Sequence, residues 1–183
     1  MSLLRIEGLS KVFGGIHAIK DLGFGIREGT IHSVIGPNGA GKTTLFNLIT
    51  GVYTPTAGRI LLEERDISGI APFRLARLGV SRTFQNLQIC QNMTALENVM
   101  MGRHLHLDSR FLPAMLRLPG IVRGDRACRA KAAELMAFVG LESYLDADAD
   151  SMPYGALTRL EIARALAAEP RLLLLDEPAA GLN

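Results

Sequence analysis

Gly36-Pro37-Asn38-Gly39-Ala40-Gly41-Lys42-Thr43 fits the pattern G-x-x-x-x-G-K-[ST] at every fixed position. The glycines let backbone N–H groups turn inward around phosphate oxygens. The helix that follows would place its positive end at the same point. The surroundings suit that reading. Val34-Ile35 runs into the loop as the end of an expected strand, Ile31–Ile35. A helical pattern covers Lys42–Thr50, and Gly51 stops it. In such a loop Lys42 reaches the β- and γ-phosphates of a nucleotide, and the Thr43 hydroxyl can ligate Mg²⁺. Thr44 would lie near the α- and β-phosphates.

Far downstream, Leu172-Leu173-Leu174-Leu175-Asp176-Glu177 is an apolar run closed by two acids. A buried strand delivers such carboxylates to its C-terminal end, where α/β sheets bind ligands. Asp176 then suits a Mg²⁺ role, direct or through water, and Glu177 the base that polarises an attacking water. Alone, this stretch reads equally well as a strand followed by a solvated acidic turn. Behind a complete phosphate loop the functional reading prevails.

Between these motifs the pattern changes twice. Short strands are expected at Leu4–Leu9, Ala18–Ile26, Arg59–Leu62 and Val80–Phe84, with a helix at Pro72–Leu78. Helical spacing then covers Thr94–Met101, Arg110–Leu118 and Arg126–Val139, with Gly140 as a stop. A helix at Leu157–Ala168, a break at Pro170 and the strand Leu172–Leu175 resume the α/β pattern. The expected organisation is an α/β core over residues 1–85 carrying the phosphate loop, a helical sub-domain over 86–151, and a return to the core over 152–183.

Composition sets the class. The chain has 183 residues, 48% of them hydrophobic, and a formal net charge of +2. That length suits one α/β domain with a sub-domain, and the near-neutral balance points to no nucleic-acid partner. The two cysteines, Cys90 and Cys128, lack metal or redox spacing and read as thiols of a reducing compartment. The N-terminus meets Arg5 too early for a signal peptide, and no apolar run approaches the ~20 residues that span a bilayer. The expectation is a soluble, cytoplasmic chain that would need a membrane-embedded partner to work at a membrane.

Taken together, the motifs resemble the nucleotide-binding subunits of ATP-binding-cassette transporters, and the resemblance covers the whole chain. Specifically, it is similar to the importer ATPases for branched-chain amino acids. It rests on Gly36–Thr44, Arg82-Thr83-Phe84-Gln85, Tyr154-Gly155, Leu160–Ala165 and Asp176–Asn183. It implies a P-loop NTPase fold of the cassette type with a helical insert, and ATP with Mg²⁺ as ligands. It also implies an ATPase that drives a separate permease. Partners would be integral-membrane permease subunits, a second ATP-binding subunit and, indirectly, a substrate-binding protein. The chain would sit on the inner face of the cell membrane. Another cassette system, for lipid export or urea uptake, and a non-catalytic ATP-binding fragment are the alternatives. A small-molecule P-loop kinase would not need the Leu160–Ala165 and Asp176–Asn183 matches.

The resemblance assigns further roles. Phe13 falls where an aromatic ring stacks on adenine, although a Phe there serves equally well as a core residue at a strand edge. Gln85 falls at the glutamine that senses Mg²⁺ and links core to insert. Ala180–Asn183 matches a loop that crosses the dimer interface. Tyr154 and Gly155 fall in the signature segment that meets the partner's ATP. Here the sequence departs from the family's Leu-Ser-Gly-Gly-Gln: the aligned residues are Met152-Pro153-Tyr154-Gly155-Ala156. Hydroxyl and amide donors are lost, while a helix start beside Gly155 keeps its field. The family's switch histidine has no counterpart after Glu177, since His17, His32, His104 and His106 all lie upstream. The chain therefore reads as a fragment of a longer ATPase. Residues 103–131 are rich in Arg and suit either a face for the permease and the anionic leaflet or a plain solvated helix face.

Overall fold

The computed structural model describes residues 2–83, 88–106 and 119–176. The chain forms two compact units, Met1–Val80 and Ser81–Asn183.

The first unit is built on a four-stranded sheet with strand order β2-β1-β3-β4. β1 (Ser2–Phe13) pairs antiparallel with β2 (Ile16–Arg27) across the Gly14-Gly15 turn, and antiparallel with β3 (Ala57–Leu62) on its other side. β4 (Arg65–Asp66) closes the order beside β3. Leu4, Ile6, Leu9 and Ile60 bury one face of the sheet. The unit also buries Leu45, Leu48 and Ile49 of α1 (Lys42–Ile49) and Leu75 of α2 (Pro72–Arg77). Pro72 opens α2 at a position where its missing N–H costs nothing. Gly51 follows α1 at φ +72, where an added Cβ would stand 2.0 Å from the Ile70 carbonyl oxygen.

The expected strand at Ile31–Ile35 does not form. These residues carry no regular structure, and Ile31 and Ile35 are 98% and 92% exposed. A β-strand exists only through its ladder, and this segment pairs with none of the four strands of the unit's sheet.

Among its described residues, the second unit packs three helices around one core. α3 (Ala95–Gly102) begins at Thr94 with a capping box: the Thr94 hydroxyl accepts from the Glu97 N–H, and the Glu97 carboxylate accepts from the Thr94 N–H. α4 (Pro119–Phe138) ends before Gly140, whose φ of +71 makes it a left-handed stop. α5 (Tyr154–Ala167) starts three residues earlier than the Leu157 expected from spacing. Pro153, extended at φ −64 and ψ 150, caps it, so Tyr154 and Gly155 belong to its first turn. Ala95, Leu96 and Val99 of α3, Ala132 and Met136 of α4, and Ala156, Leu160, Ala163 and Ala167 of α5 form the shared core. β5 (Val80–Arg82) and β6 (Leu172–Leu174) make a two-stranded sheet, extended by a bond from the Thr83 N–H to the Leu174 carbonyl at 3.0 Å. Among the described residues no helix is long and apolar enough to cross a membrane. The expected helix at Arg110–Leu118 lies outside the described residues.

Candidate functional site

The phosphate loop leaves the irregular segment before it and turns into α1. Gly39 and Gly41 stand at φ +81 and +86, a region that costs any other L-residue strain. At Gly41 space is also closed: a Cβ there would lie 2.5 Å from the Ala18 carbonyl oxygen of β2. At Gly39 a Cβ would meet nothing within 4 Å, so that glycine serves conformation alone. The Ala40 N–H donates to the Pro37 carbonyl at 3.2 Å and tightens the turn.

Lys42 folds back over this loop. Its ammonium donates to the Gly36 carbonyl at 2.6 Å and to the Pro37 carbonyl at 3.0 Å. The first internal bond of α1 runs from the Leu45 N–H to the Gly41 carbonyl at 2.8 Å, and no acid stands in the first turn. The helix therefore presents its early N–H groups and a positive end with no negative side chain to neutralise them. A cation resting on two carbonyl dipoles, next to a helix start, is an arrangement that a phosphate group can enter by replacing those carbonyls.

Phe13 ends β1 and is 41% exposed. One neighbour is the Tyr53 ring, edge-on at 5.2 Å between centroids. The Lys11 ammonium stands 4.9 Å from the Phe13 centroid and 5.8 Å from that of Tyr53, and it donates to the Thr54 carbonyl at 2.8 Å. Phe13 is thus neither a core residue nor an isolated platform. It belongs to an aromatic pair under a fixed cation, with part of its surface still open.

In the second unit, Asp176 follows β6. Its carboxylate Oδ2 accepts from Arg82 Nη2 at 2.9 Å, and its N–H donates to the Thr83 hydroxyl at 3.1 Å. The Arg82 and Asp176 side chains are only 7% and 13% exposed. Two consecutive residues of the β5 end thus hold both the side chain and the backbone of Asp176.

Tyr154 and Gly155 open α5, where again no acid stands in the first turn. The Tyr154 side chain is exposed. Arg159, one turn on, donates to the Gly155 carbonyl at 3.4 Å and to the Gly140 carbonyl at 3.1 Å, so it links the start of α5 to the residue that ends α4. Gln85 and Glu177 lie outside the described residues.

Sequence reading overlooked the clamp on Asp176. The available signal was Arg82 within the expected strand Val80–Phe84, since a buried guanidinium requires a partner. It also overlooked Lys11 and Tyr53 beside Phe13, which come together only through hairpin geometry and the turn after α1.

A family model described as ABC transporter matches residues 19–180. The chain belongs to this family, and membership implies nucleotide binding. Over 181 residues it is 43% identical to the high-affinity branched-chain amino acid transport ATP-binding protein BraF of Pseudomonas aeruginosa, covering 99% of this chain and 71% of that one. It is 40% identical, with the same coverage, to the LivG protein of the same description in Escherichia coli K12. Among solved structures it is similar to an ATP-binding cassette of an ABC transporter in its ADP conformation, with a TM-score of 0.82 and 33% identity, covering 100% of this chain and 71% of that one.

Proposed function

We propose that this chain is the ATP-hydrolysing subunit of an importer for branched-chain amino acids. The observation that carries the reading is the Gly36–Thr43 loop, open at the start of α1 with Lys42 turned onto the Gly36 and Pro37 carbonyls. The amino-acid cargo follows from its relatives BraF and LivG, which are branched-chain amino acid transport ATP-binding proteins.

In this proposal Gly36, Pro37, Asn38, Gly39, Ala40 and Gly41 shape the loop, and Lys42, Thr43 and Thr44 meet the phosphates. Lys42 exchanges two neutral acceptors for phosphate charge, and charge-assisted bonds are the stronger kind. Magnesium takes oxygen ligands from one or two side chains together with phosphates and waters. The Thr43 hydroxyl and the Asp176 carboxylate are donors of that chemistry, with Gln85 as a further oxygen. When bound, the ion would neutralise charge that develops on the phosphates. Glu177 accepts a proton from the attacking water. Phe13 offers its open ring surface to the base. Tyr154 and Gly155 bring the start of α5 to the ATP of a second subunit.

The wider expectations follow. Residues 86–151 form the sub-domain that meets the permease, and the protein works on the inner face of the membrane with a substrate-binding protein upstream. No nucleic acid is involved.

The experiment uses the full-length protein. Glu177→Gln should keep ATP affinity and lower phosphate release by ~10²–10⁴-fold, the range for losing a general base. A mutant that turns over at the parent rate would remove Glu177 from the role. Uptake of labelled leucine, isoleucine and valine should fall in cells carrying only that mutant. Undiminished uptake of all three would sink the substrate assignment.

A further inference from the structure

Asp176 is not a bare carboxylate at a strand end. It is bound by a guanidinium from the neighbouring strand, and both side chains are shielded from water. A solvated pair would be worth little, but a shielded one has strong control over its partner's orientation. The Arg82 bond uses Oδ2, and the Thr83 hydroxyl fixes the backbone at the same residue. Thr83 is itself buried and ties β5 to β6 through the Leu174 carbonyl. The carboxylate is therefore fixed from the β5 side before any cation arrives.

The geometry points to Arg82 as a positioning residue for Asp176: it holds the carboxylate in one orientation and competes with the divalent cation for it. The inference rests on the reading above, in which Asp176 serves the metal. Its chemistry is simple. A cation approaching Asp176 meets a carboxylate whose charge is already shared with a fixed positive group. Arg82 lowers cation affinity while keeping the oxygens aimed, so that tight metal binding waits for the phosphates of the nucleotide. Lysine supplies the charge without the planar fork, so charge and aim separate between two variants.

The test measures Mn²⁺ binding by electron paramagnetic resonance in the full-length protein, with ADP present. Arg82→Gln should bind Mn²⁺ about tenfold more tightly, the low end of what one neighbouring charge does to a carboxylate's affinity for a proton. Arg82→Lys should stay within about threefold of the parent, because the competing charge remains. ADP affinity measured without metal should be unchanged in both. Arg82→Gln with parent or weaker Mn²⁺ affinity overturns the proposal, as does a lysine variant that behaves like the glutamine one. Should Arg82→Gln fail to fold, the parent decides: titration of Mg²⁺ with ADP must move the Arg82 guanidinium resonance, and a resonance that stays fixed overturns the proposal. Failure of the parent to bind ADP at all would instead reject the nucleotide reading, so the two failures are distinct.

Discussion

The Asn98 side chain and the Cys90 backbone exchange two hydrogen bonds: Asn98 Oδ1 accepts from the Cys90 N–H at 2.9 Å, and Asn98 Nδ2 donates to the Cys90 carbonyl at 3.0 Å. The amide imitates a strand neighbour for one residue of an irregular segment. Nδ2 also donates to the Thr94 carbonyl at 3.0 Å, so a fully buried polar side chain has every strong bond it needs from a single loop.

Asn98→Leu should therefore destabilise the protein by about 1–3 kcal/mol, the cost of leaving buried backbone groups unpaired. Urea unfolding measures it. Equal midpoints for mutant and parent would show that this segment finds other partners.

The phosphate loop separates two glycine effects. Gly39→Ala adds only backbone strain, on the order of 1–2 kcal/mol, because its Cβ points into open space. Gly41→Ala adds the same strain and drives a Cβ onto the Ala18 carbonyl at 2.5 Å. ATP titration should show modest weakening for the first and near-abolished binding for the second. Similar affinities would mean that the β2 contact does not define the loop.

Lys42→Ala should weaken ATP binding by about 10–100-fold, corresponding to the ~1.5–3 kcal/mol of a hydrogen bond to a charged group. Lysine also holds the empty loop through Gly36 and Pro37, so the mutant loop should be less protected from hydrogen exchange before nucleotide is added. Unchanged ATP affinity would reject the phosphate-loop assignment.

Glu169 accepts from Arg103 at 2.7 Å, and that bond, followed by the Arg103 charge, holds its carboxyl below the ordinary value of 4.5. A carboxyl lowered by folding stabilises the folded state above its unfolded value, and that contribution is lost as pH falls through the lower folded value. The stability gap between parent and Glu169→Gln should be constant above about pH 5 and should close on further acidification. Thermal unfolding across pH 3–7 reads it, and a gap that widens toward acid would contradict the ion pair.

The sequence carried the local chemistry far better than the pairing. The phosphate loop, the α1 start, the capping box at Thr94 and the β6 strand are encoded by neighbouring residues, and each forms where local rules place it. Ile31–Ile35 has the composition of a strand but forms none, because composition cannot supply a ladder partner. Proline at position 153 moves the α5 start to Tyr154: its fixed φ suits a helix cap, an effect that apolar spacing does not register. Arg82 and Asp176 are 94 residues apart in sequence. Their bond depends on β5 and β6 lying side by side, which no motif announces.

Arg159 gives the second unit a particular mechanics. One guanidinium grips the carbonyl that ends α4 and another in the opening turn of α5. The two helix ends are thereby geared together. A load that shifts the end of α4 has two outlets: it drags Tyr154 and Gly155 with it, or it first tears the guanidinium loose. A push arriving along α4 would then be felt at the start of α5 as displacement, with little slack between the two.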